Sequence, residues 1–446
     1  MSHPYNITWF ERNRAAVFAF CMLIVQAILS GKRHILIKAP VKSGKRVILE
    51  LISVLLPIFR VKYITALNRV DVKNQQAELE LYRIATHLTK DERSAKSAIL
   101  DIENNLSSKN QVIAGFDECD YGSGARQKMA SLFKKFMNNI SVVKLYISAT
   151  AHETEASNLK LRPDFAMFVY EPPPEYCGAR FFREAGLVFK PHEFLEVDSD
   201  GDVTLTEHAK DVIRESITLD RHIGVVRTGR KVPTSLLRSK KMQKAIETQL
   251  QTLTEKRWEL VVVDQKSPFN WESTRDQLIT LDTKTNYLIV VMQTCTRGTD
   301  LKGWHHKIAF WHDARACDNV NLNTLLQAIR VCHYSTDYPN GEFNPGVEGT
   351  PTPQRIRLYM DPRIVKMADD DDLEAYLAAG GKPPTRTKKS RRPAASSDGW
   401  GIPFAITLPD GLLNEMINSN TNDANRIKWT ANILPLLPAN RRTDFE

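Results

Sequence analysis

The residues best suited to bind phosphate lie in the segment ILIKAPVKSGKR, which spans positions 35 to 46. An apolar run that predicts a strand is followed by Ser43-Gly44-Lys45 and then by an apolar run that predicts a helix. In such a unit, backbone N–H groups and the helix N-terminus point at phosphate, Gly44 permits a turn that a side chain would hinder, and Lys45 would neutralise phosphate charge. Lys42 and Arg46 add positive charge to the same segment. The alternative is a chance Ser-Gly-Lys sequence in a basic loop.

A pair of carboxylates follows a second apolar run. Residues 111 to 116 (QVIAGF) predict a strand that leads into Asp117-Glu118-Cys119-Asp120. A strand tip is rigid, and in a parallel sheet it lies at the same edge as a phosphate loop. There Asp117 could hold Mg²⁺, and Glu118 could orient or deprotonate an attacking water. Taken alone, this segment fits a solvated acidic turn slightly better, but the two segments together are improbable by chance.

Short apolar runs alternate with helical patterns along most of the chain. This alternation predicts βαβ units and parallel sheets, and the three prolines at positions 172–174 mark a domain border. We therefore predict an α/β protein with a first domain over residues 1–170, a linker over 171–205, a second domain over 206–367, and a charged linker with a short C-terminal extension over 368–446. The predicted strands are 34–38, 61–66, 111–116, 141–148, 222–227, 259–264, 287–292 and 307–311, and the predicted helices are 46–58, 74–88, 126–138, 239–253 and 321–331.

The charge of the chain is compatible with a polyanionic partner. The formal net charge is +9, and part of the surplus lies in the tail GGKPPTRTKKSRRP at positions 380–393. Lys388, Lys389, Arg391 and Arg392 could bind nucleic acid or act as a nuclear localisation signal, whereas a flexible solubilising linker explains the same composition. The acidic run at positions 369–372 predicts the start of a solvated helix.

The N-terminal region contains an apolar segment at positions 15–29. It is short against the roughly 20 residues that a bilayer needs, and it leads directly into the phosphate-loop candidate, so we predict a buried helix under a sheet rather than a signal peptide or membrane span. The six cysteines contain no C-x-x-C pair, which favours a reducing compartment over a disulfide framework or a metal site. These features predict an intracellular protein, cytoplasmic or nuclear, with no membrane partner.

The ordered set of segments resembles the superfamily 2 helicases, the group that contains the DEAD-box and DEAH-type proteins. Residues 39–46 (APVKSGKR) resemble motif I, whose common form is A-P-T-G-S-G-K-T, residues 117–120 (DECD) resemble motif II, and residues 148–150 (SAT) match motif III. Residues 64–68 (ITALN) stand weakly at motif Ia. In the second half, residues 222–227 stand at motif IV, residues 296–300 (TRGTD) resemble motif V, and residues 327–333 (QAIRVCH) resemble motif VI, Q-x-x-G-R-x-x-R, with one residue missing.

This resemblance implies two RecA-like P-loop domains that close on ATP and Mg²⁺. It implies that Ser43, Gly44 and Lys45, with Lys42 and Arg46, bind the nucleotide, that Asp117 serves Mg²⁺ and that Glu118 serves water. From the second domain, Arg297 and Asp300 would contribute to the nucleotide site, while Gln327 and Arg330 would face the γ-phosphate, with Arg330 as an arginine finger. Ser148, Thr150 and Gly298 would couple the site to the nucleic-acid groove.

Three departures from the family pattern bear on catalysis. Arg46 stands in place of the hydroxyl that normally holds Mg²⁺, Lys42 replaces a glycine, and His333 stands where a second arginine is expected. The predicted function is that of an ATP-dependent helicase or translocase acting on DNA or RNA. The alternative is a catalytically weak or inactive helicase-like protein that binds nucleotide and nucleic acid in an assembly, and a third possibility is an ATPase that acts on a protein partner. The C-terminal extension could bind further proteins.

Overall fold

The computed structural model describes residues 15–65, 76, 79–88, 92–117, 135–149, 161–173, 176–218, 221–227, 232–263, 285–291, 307–318, 320, 322–326, 328–329, 331–334 and 356–383. These residues form two compact units, each built around a six-stranded sheet. Within these ranges, no helix combines the length and apolar character needed to cross a membrane.

The first unit contains a sheet in which every pair of neighbouring strands is parallel. Its strands are β1 (His34–Lys38), β2 (Phe59–Thr65), β3 (Ala85–Leu88), β4 (Gln111–Asp117), β5 (Val142–Ser148) and β6 (Phe165–Val169). The order across the sheet is β3-β2-β4-β5-β1-β6. Strand β5 therefore lies between β1 and β4, and the carboxyl ends of all these strands lie at one edge of the sheet.

Helices pack against both faces of this sheet. They are α1 (Ala15–Leu29), α2 (Lys45–Leu55) and α3 (Glu92–Ser107). Buried side chains of α1 and α2 share one core with Ile35 and Ile37, whereas those of α3 pack with Leu36, which points to the opposite face. The predicted buried helix at positions 15–29 is confirmed, because nearly all of its apolar side chains lie in this core.

The second unit contains a second parallel sheet. We number the remaining strands in chain order as β7 (Tyr176–Cys177), β8 (Val188–Phe189), β9 (Leu195–Val197), β10 (Val203–Leu205), β11 (Ile223–Arg227), β12 (Arg257–Val263), β13 (Thr285–Val291), β14 (Ile308–Asp313), β15 (His333–Tyr334) and β16 (Arg357–Tyr359). The sheet has the order β12-β13-β11-β14-β16-β8, and all its neighbours are parallel. The pairs β9–β10 and β7–β15 are small antiparallel ribbons.

Helices surround the second sheet as well. They are α4 (Ala179–Glu184), α5 (Glu207–Ser216), α6 (Thr234–Arg238), α7 (Lys240–Thr254), α8 (Leu322–Leu326), α9 (Pro362–Asp370) and α10 (Leu373–Ala378). They pack into two apolar clusters, one containing Ile289 and the other its neighbour Val290, whose side chains point to opposite faces of β13. The predicted α/β class with two parallel-sheet domains is therefore confirmed. The prediction succeeded because strands of parallel sheets are buried on both faces and therefore appear in the sequence as continuous apolar runs.

Some predicted elements differ from the structure. The helix predicted over 74–88 is wrong at its end, because the chain turns at Arg83, where φ is +57°, and residues 85–88 join the sheet as β3. The helix predicted over 321–331 is shorter, since α8 ends at Leu326 and the described residues after it form turns and β15. Helix α3 and strand β6 correspond to no predicted element. Residues 126–134 of another predicted helix lie outside the described ranges.

Long-range ion pairs explain the first two residues of the acidic run at positions 369–372, Asp369 and Asp370. Asp369, whose side chain is 2 % exposed, accepts a hydrogen bond from Arg180 of α4 at 3.0 Å and forms an ion pair with Arg183 of the same helix at 2.6 Å. The run therefore ends α9 rather than beginning a solvated helix, and only Asp372 starts a helix, by capping α10 at the N–H of Ala375. Helix α9 also spans position 367, where the second domain was predicted to end, and the predicted linker over 171–205 contains β7 to β10.

Two histidines in the sheets are buried without charge. On β1, His34 Nε2 donates to the carbonyl of Met137 at 2.8 Å, and its Nδ1 lies 3.0 Å from the Tyr146 hydroxyl. Burial, and then the charge of Lys144, lower the pKa of His34 to about 4. On β14, the Nε2 atoms of His312 and His208 lie 3.3 Å apart. Burial, and then His208, lower the pKa of His312 to about 3.

Because these histidines stay neutral when folded, we expect the protein to lose stability in mild acid. Below the ordinary pKa of 6.5, the unfolded chain takes up protons that the folded chain does not, so the free energy of unfolding falls with pH until the folded values near 4 and 3 are reached. We expect each histidine to lower the free energy of unfolding by on the order of 2 kcal/mol between pH 7 and pH 5, as measured by urea denaturation. Aspartates with an ordinary pKa of 3.8 hardly titrate in this window.

His312→Phe provides the matched control for this pH dependence. The ring shape is kept beside Tyr359 and Phe194, but the proton-binding site is removed. The variant should lose less stability than the parent protein on going from pH 7 to pH 5. Equal losses in both proteins would show that His312 does not contribute.

Candidate phosphate-binding site

The loop between β1 and α2 has the backbone geometry of an anion site. Strand β1 ends at Lys38, and α2 begins at Lys45 with Gly44 as its N-cap. Lys42 and Gly44 both have positive φ, at +64° and +93°. A Cβ at Gly44 would find its nearest atom at 3.9 Å, so the left-handed backbone rather than lack of space favours glycine there. Turns with left-handed residues direct successive N–H groups to one side and form a concave anion-binding surface.

The charge of this loop also fits an anion. No side chain caps α2, and no acidic residue lies in its first turn, where Lys45 and Arg46 stand instead. Cations at a helix N-terminus oppose the helix dipole, and a bound phosphate would offset this cost. The donor set of backbone N–H groups and lysine charges is therefore one that suits the phosphates of a nucleotide.

Arg46 is engaged by another side chain of α2. Its Nε donates to Oε1 of Glu50 at 2.9 Å, one helical turn further along, and Glu50 is buried. This contact is an i,i+4 ion pair on the helix. At least part of the guanidinium charge is thus directed toward Glu50. A contact between Arg46 and the nucleotide, as predicted, would have to compete with this ion pair.

The carboxyl edge of the first sheet brings three predicted segments together. In the parallel register, Lys38 of β1 lies beside Ser148 of β5, and Asp117 of β4 lies beside Ile147. The Ala39 N–H donates to the Ser148 carbonyl at 3.1 Å, so the phosphate loop starts directly beside the predicted coupling residue. The structure thereby positions the loop, Asp117 and Ser148 at one edge. Their roles in binding and coupling remain predictions.

The described ranges do not include the other predicted site residues. Those outside them are Glu118, Thr150, Arg297, Gly298, Asp300, Gln327, Arg330, Lys388, Lys389, Arg391 and Arg392. His333, which stands where the family pattern has an arginine, is described. It is buried on β15, and its Nδ1 donates to the carbonyl of Val331 at 2.7 Å.

Gly115 helps to position the phosphate loop helix, although no motif in the sequence indicated it. A Cβ at this position on β4 would lie 2.6 Å from Cδ2 of Leu49, which is fully buried on α2. The missing side chain therefore allows the helix that follows the phosphate loop to pack closely on the sheet. A glycine inside a strand pattern is the available sequence signal for such a close approach.

Gly115→Ala is expected to destabilise the first unit by about 1–3 kcal/mol and to weaken nucleotide binding, because the added methyl group overpacks the core against α2. Urea denaturation and a nucleotide titration measure the two effects. Leu49→Ala removes the clashing atoms, so the double variant should be less destabilised than the sum of the single variants. Simple additivity of the two substitutions would contradict the close contact.

Comparisons with known proteins give structural similarity only. Neither a protein-family model nor a curated protein sequence matches the chain. The chain is similar to S. cerevisiae Dbp5 bound to RNA and ADP BeF3, with a TM-score of 0.41 and 12 % identity over 82 % of this chain and 91 % of that one. RecG bound to a three-way DNA junction has a TM-score of 0.36 and 13 % identity, over 82 % and 46 % of the two chains.

A hypothetical ATP-dependent RNA helicase from Sulfolobus tokodaii is also similar, with a TM-score of 0.25 and 14 % identity over 80 % of this chain and 88 % of that one. Similarities at this level carry no argument about activity.

Proposed function

We propose that this chain binds ATP through residues 39–46 and couples ATP hydrolysis to movement on, or remodelling of, DNA or RNA, as a helicase or translocase. One observation carries the proposal. An uncapped, cationic helix start with left-handed loop residues lies at the same sheet edge as the strand-end carboxylate of Asp117, with only β5 between their strands. Phosphate binding and a carboxylate beside it are the two requirements of a P-loop nucleotide hydrolase.

In this proposal the loop holds the phosphates. Backbone N–H groups at the start of α2 would donate to phosphate oxygens, and Lys45 would neutralise their charge. Asp117 would hold Mg²⁺, which supplies charge neutralisation during phosphoryl transfer, and Glu118 would accept a proton from the attacking water. Lys42 and Ser43 complete the loop.

The second unit would contribute through residues that resemble the later helicase motifs. Arg297 and Asp300 would contact the nucleotide, and Gln327 and Arg330 would face the γ-phosphate. An arginine finger in this position is worth about 10³–10⁵ in rate where measured. The order of the motif-like segments and the net charge of +9 support nucleic acid as the partner.

The test is ATP hydrolysis by the full chain, measured in parallel without nucleic acid and with single-stranded DNA, duplex DNA or RNA. We expect hydrolysis that at least one nucleic acid stimulates and that added salt reduces, because phosphate contacts depend on salt. Hydrolysis that no nucleic acid stimulates would favour an ATPase acting on a protein partner. Failure to bind ATP would overturn the proposal as a whole.

One observation favours a second candidate function, a helicase-like protein that binds ATP and nucleic acid without efficient turnover. Arg46 replaces the metal-binding hydroxyl, and its guanidinium is engaged by Glu50. Loss of a metal ligand removes charge stabilisation of the transition state. Tight ATP binding with negligible hydrolysis under all four conditions would support this candidate.

Arg46→Thr combined with Glu50→Gln separates the two functions. The first change supplies a hydroxyl, and the second removes the buried negative charge that faced Arg46, because that charge would destabilise α2 once the guanidinium is gone. Glu50→Gln alone is the control. A rise in Mg²⁺-dependent hydrolysis only in the double variant would show that Arg46 limits turnover, whereas no change would show that it does not.

A further inference from the structure

Tyr63 contacts the strand-end carboxylate of the proposed nucleotide site. Tyr63 lies on β2 and is 1 % exposed, and its hydroxyl donates to Oδ2 of Asp117 at 2.5 Å. No motif in the sequence indicated this residue, which precedes Asp117 by 54 positions. The contact therefore depends on the pairing of two strands.

The register of β2 and β4 explains how the two side chains meet. Tyr63 lies directly beside Gly115, and Asp117 is two residues further along the same strand. Residues two apart share a face of the sheet, and a diagonal neighbour is within reach of an aromatic side chain. Gly115 and Tyr63 are on the face of the sheet that packs against α2. The carboxylate of Asp117 therefore lies on that same face of the sheet, the one covered by the helix that follows the phosphate loop.

The hydrogen bond has a chemical consequence for a metal ligand. A hydroxyl that donates to a carboxylate makes a strong, charge-assisted bond and fixes the carboxylate rotamer. The bond is made to Oδ2, so a cation or its water would meet the carboxylate in the orientation that Tyr63 sets. Hydrogen bonds from such outer partners orient metal ligands, and their loss typically reduces metal affinity by about 10–100-fold.

We propose that Tyr63 is the positioning residue for Mg²⁺ at this site, because it holds the Asp117 carboxylate in the orientation that binds the ion. This inference rests on the proposed function and names a residue that acts on its metal ligand. Tyr63 would act on the nucleotide only through this carboxylate. Its effect is confined to the steps that depend on Mg²⁺.

The test is Tyr63→Phe, which removes only the hydroxyl. We expect the Mg²⁺ concentration that gives half of the maximal Mg²⁺-dependent gain in nucleotide affinity to rise about tenfold. Nucleotide affinity without Mg²⁺ should change less than about twofold, because the phosphate loop is untouched. Both values come from titrations with a fluorescent ATP analogue, so the readout does not require hydrolysis. If the protein hydrolyses ATP, the same shift should appear in the Mg²⁺ dependence of the rate.

Tyr146→Phe is the matched control. Tyr146 is an equally buried tyrosine of the same sheet, and its hydroxyl contacts His34 instead of Asp117. This variant should change stability without shifting the Mg²⁺ dependence. Equal shifts in both variants would indicate general loosening of the sheet and would overturn the inference.

A double-mutant cycle keeps the inference testable if Tyr63→Phe is itself destabilised. In an Asp117→Asn background, Tyr63→Phe should raise the half-maximal Mg²⁺ concentration less than about twofold. The carboxylate that the tyrosine hydroxyl orients is already absent from that background. An unshifted Mg²⁺ dependence in Tyr63→Phe, with normal nucleotide binding, would overturn the inference and leave the proposed function intact. Absence of nucleotide binding in the parent protein would instead overturn the proposed function.

Discussion

Lys45→Ala is expected to lower the affinity for ATP about 10–100-fold and to abolish any hydrolysis. A hydrogen bond to a charged group contributes about 1.5–3 kcal/mol, and each 1.4 kcal/mol is a factor of ten in affinity. Lys45 is the first residue of α2 and directly follows Gly44, which has a left-handed backbone. Its charge therefore lies at the helix N-terminus, where the phosphates are proposed to bind. The measurement is an equilibrium titration with a fluorescent ATP analogue at fixed salt.

Lys32→Ala is the control for charge. Lys32 precedes β1 at the opposite end of the strand, and its ammonium group donates to the carbonyl of Pro163 at 2.8 Å. The variant removes the same charge from the same unit, but it should leave ATP affinity unchanged. Unchanged affinity in Lys45→Ala, or an equal loss in Lys32→Ala, would contradict a specific phosphate contact at Lys45.

Asp313→Asn is expected to destabilise the second unit by about 3–5 kcal/mol. Asp313 ends β14 with no exposed surface. It accepts three hydrogen bonds from Arg315, two from the guanidinium at 2.8 and 2.5 Å and one from the backbone N–H at 3.1 Å. The buried Arg227 lies beside it in the register of β11. Burial by itself raises the pKa of Asp313, but the charge and hydrogen bonds of Arg315, together with Arg227, outweigh burial and lower it. Removing the negative charge therefore takes away the carboxylate that faces both the buried Arg227 and the partly buried Arg315.

Urea denaturation followed by circular dichroism measures this loss. Glu215→Gln is the matched control, because Glu215 pairs with Arg357 in the same unit but is largely exposed. Exposed ion pairs contribute about 0–1 kcal/mol, so this variant should unfold almost like the parent protein. Equal stability of the two variants would show that the Asp313 cluster contributes no more than a surface pair.

The sequence alone predicted the local frame of the candidate site. The apolar runs that became β1, β4 and β5, and the helix after Lys45, follow from patterns that span fewer than about twenty residues. The positions of Gly44 directly before α2 and of Asp117 at the end of β4 follow from the same patterns, since loops and strand ends carry the polar residues. The buried helix at 15–29 was equally predictable, because its segment is apolar on all sides.

Where local signals conflicted, the sequence was a poorer guide. The helical pattern over 74–88 continued past the turn at Arg83, and periodicity contained no sign that Ala85–Leu88 would pair with β2. The four carboxylates at 369–372 looked like a solvated face because the arginine partners of Asp369 and Asp370 lie almost two hundred positions earlier. In each case a distant pairing overrode the local preference.

Only the tertiary structure decided which side chains meet at the site. It alone determined that β5 separates β1 from β4, that Leu49 fills the space above Gly115, and that Tyr63 donates to Asp117. Periodicity shows which residues form a strand and which face they share, because those depend on neighbours along the chain. The order of strands and the contacts between them depend on how whole helices and strands pack, and packing joins residues that no local pattern relates.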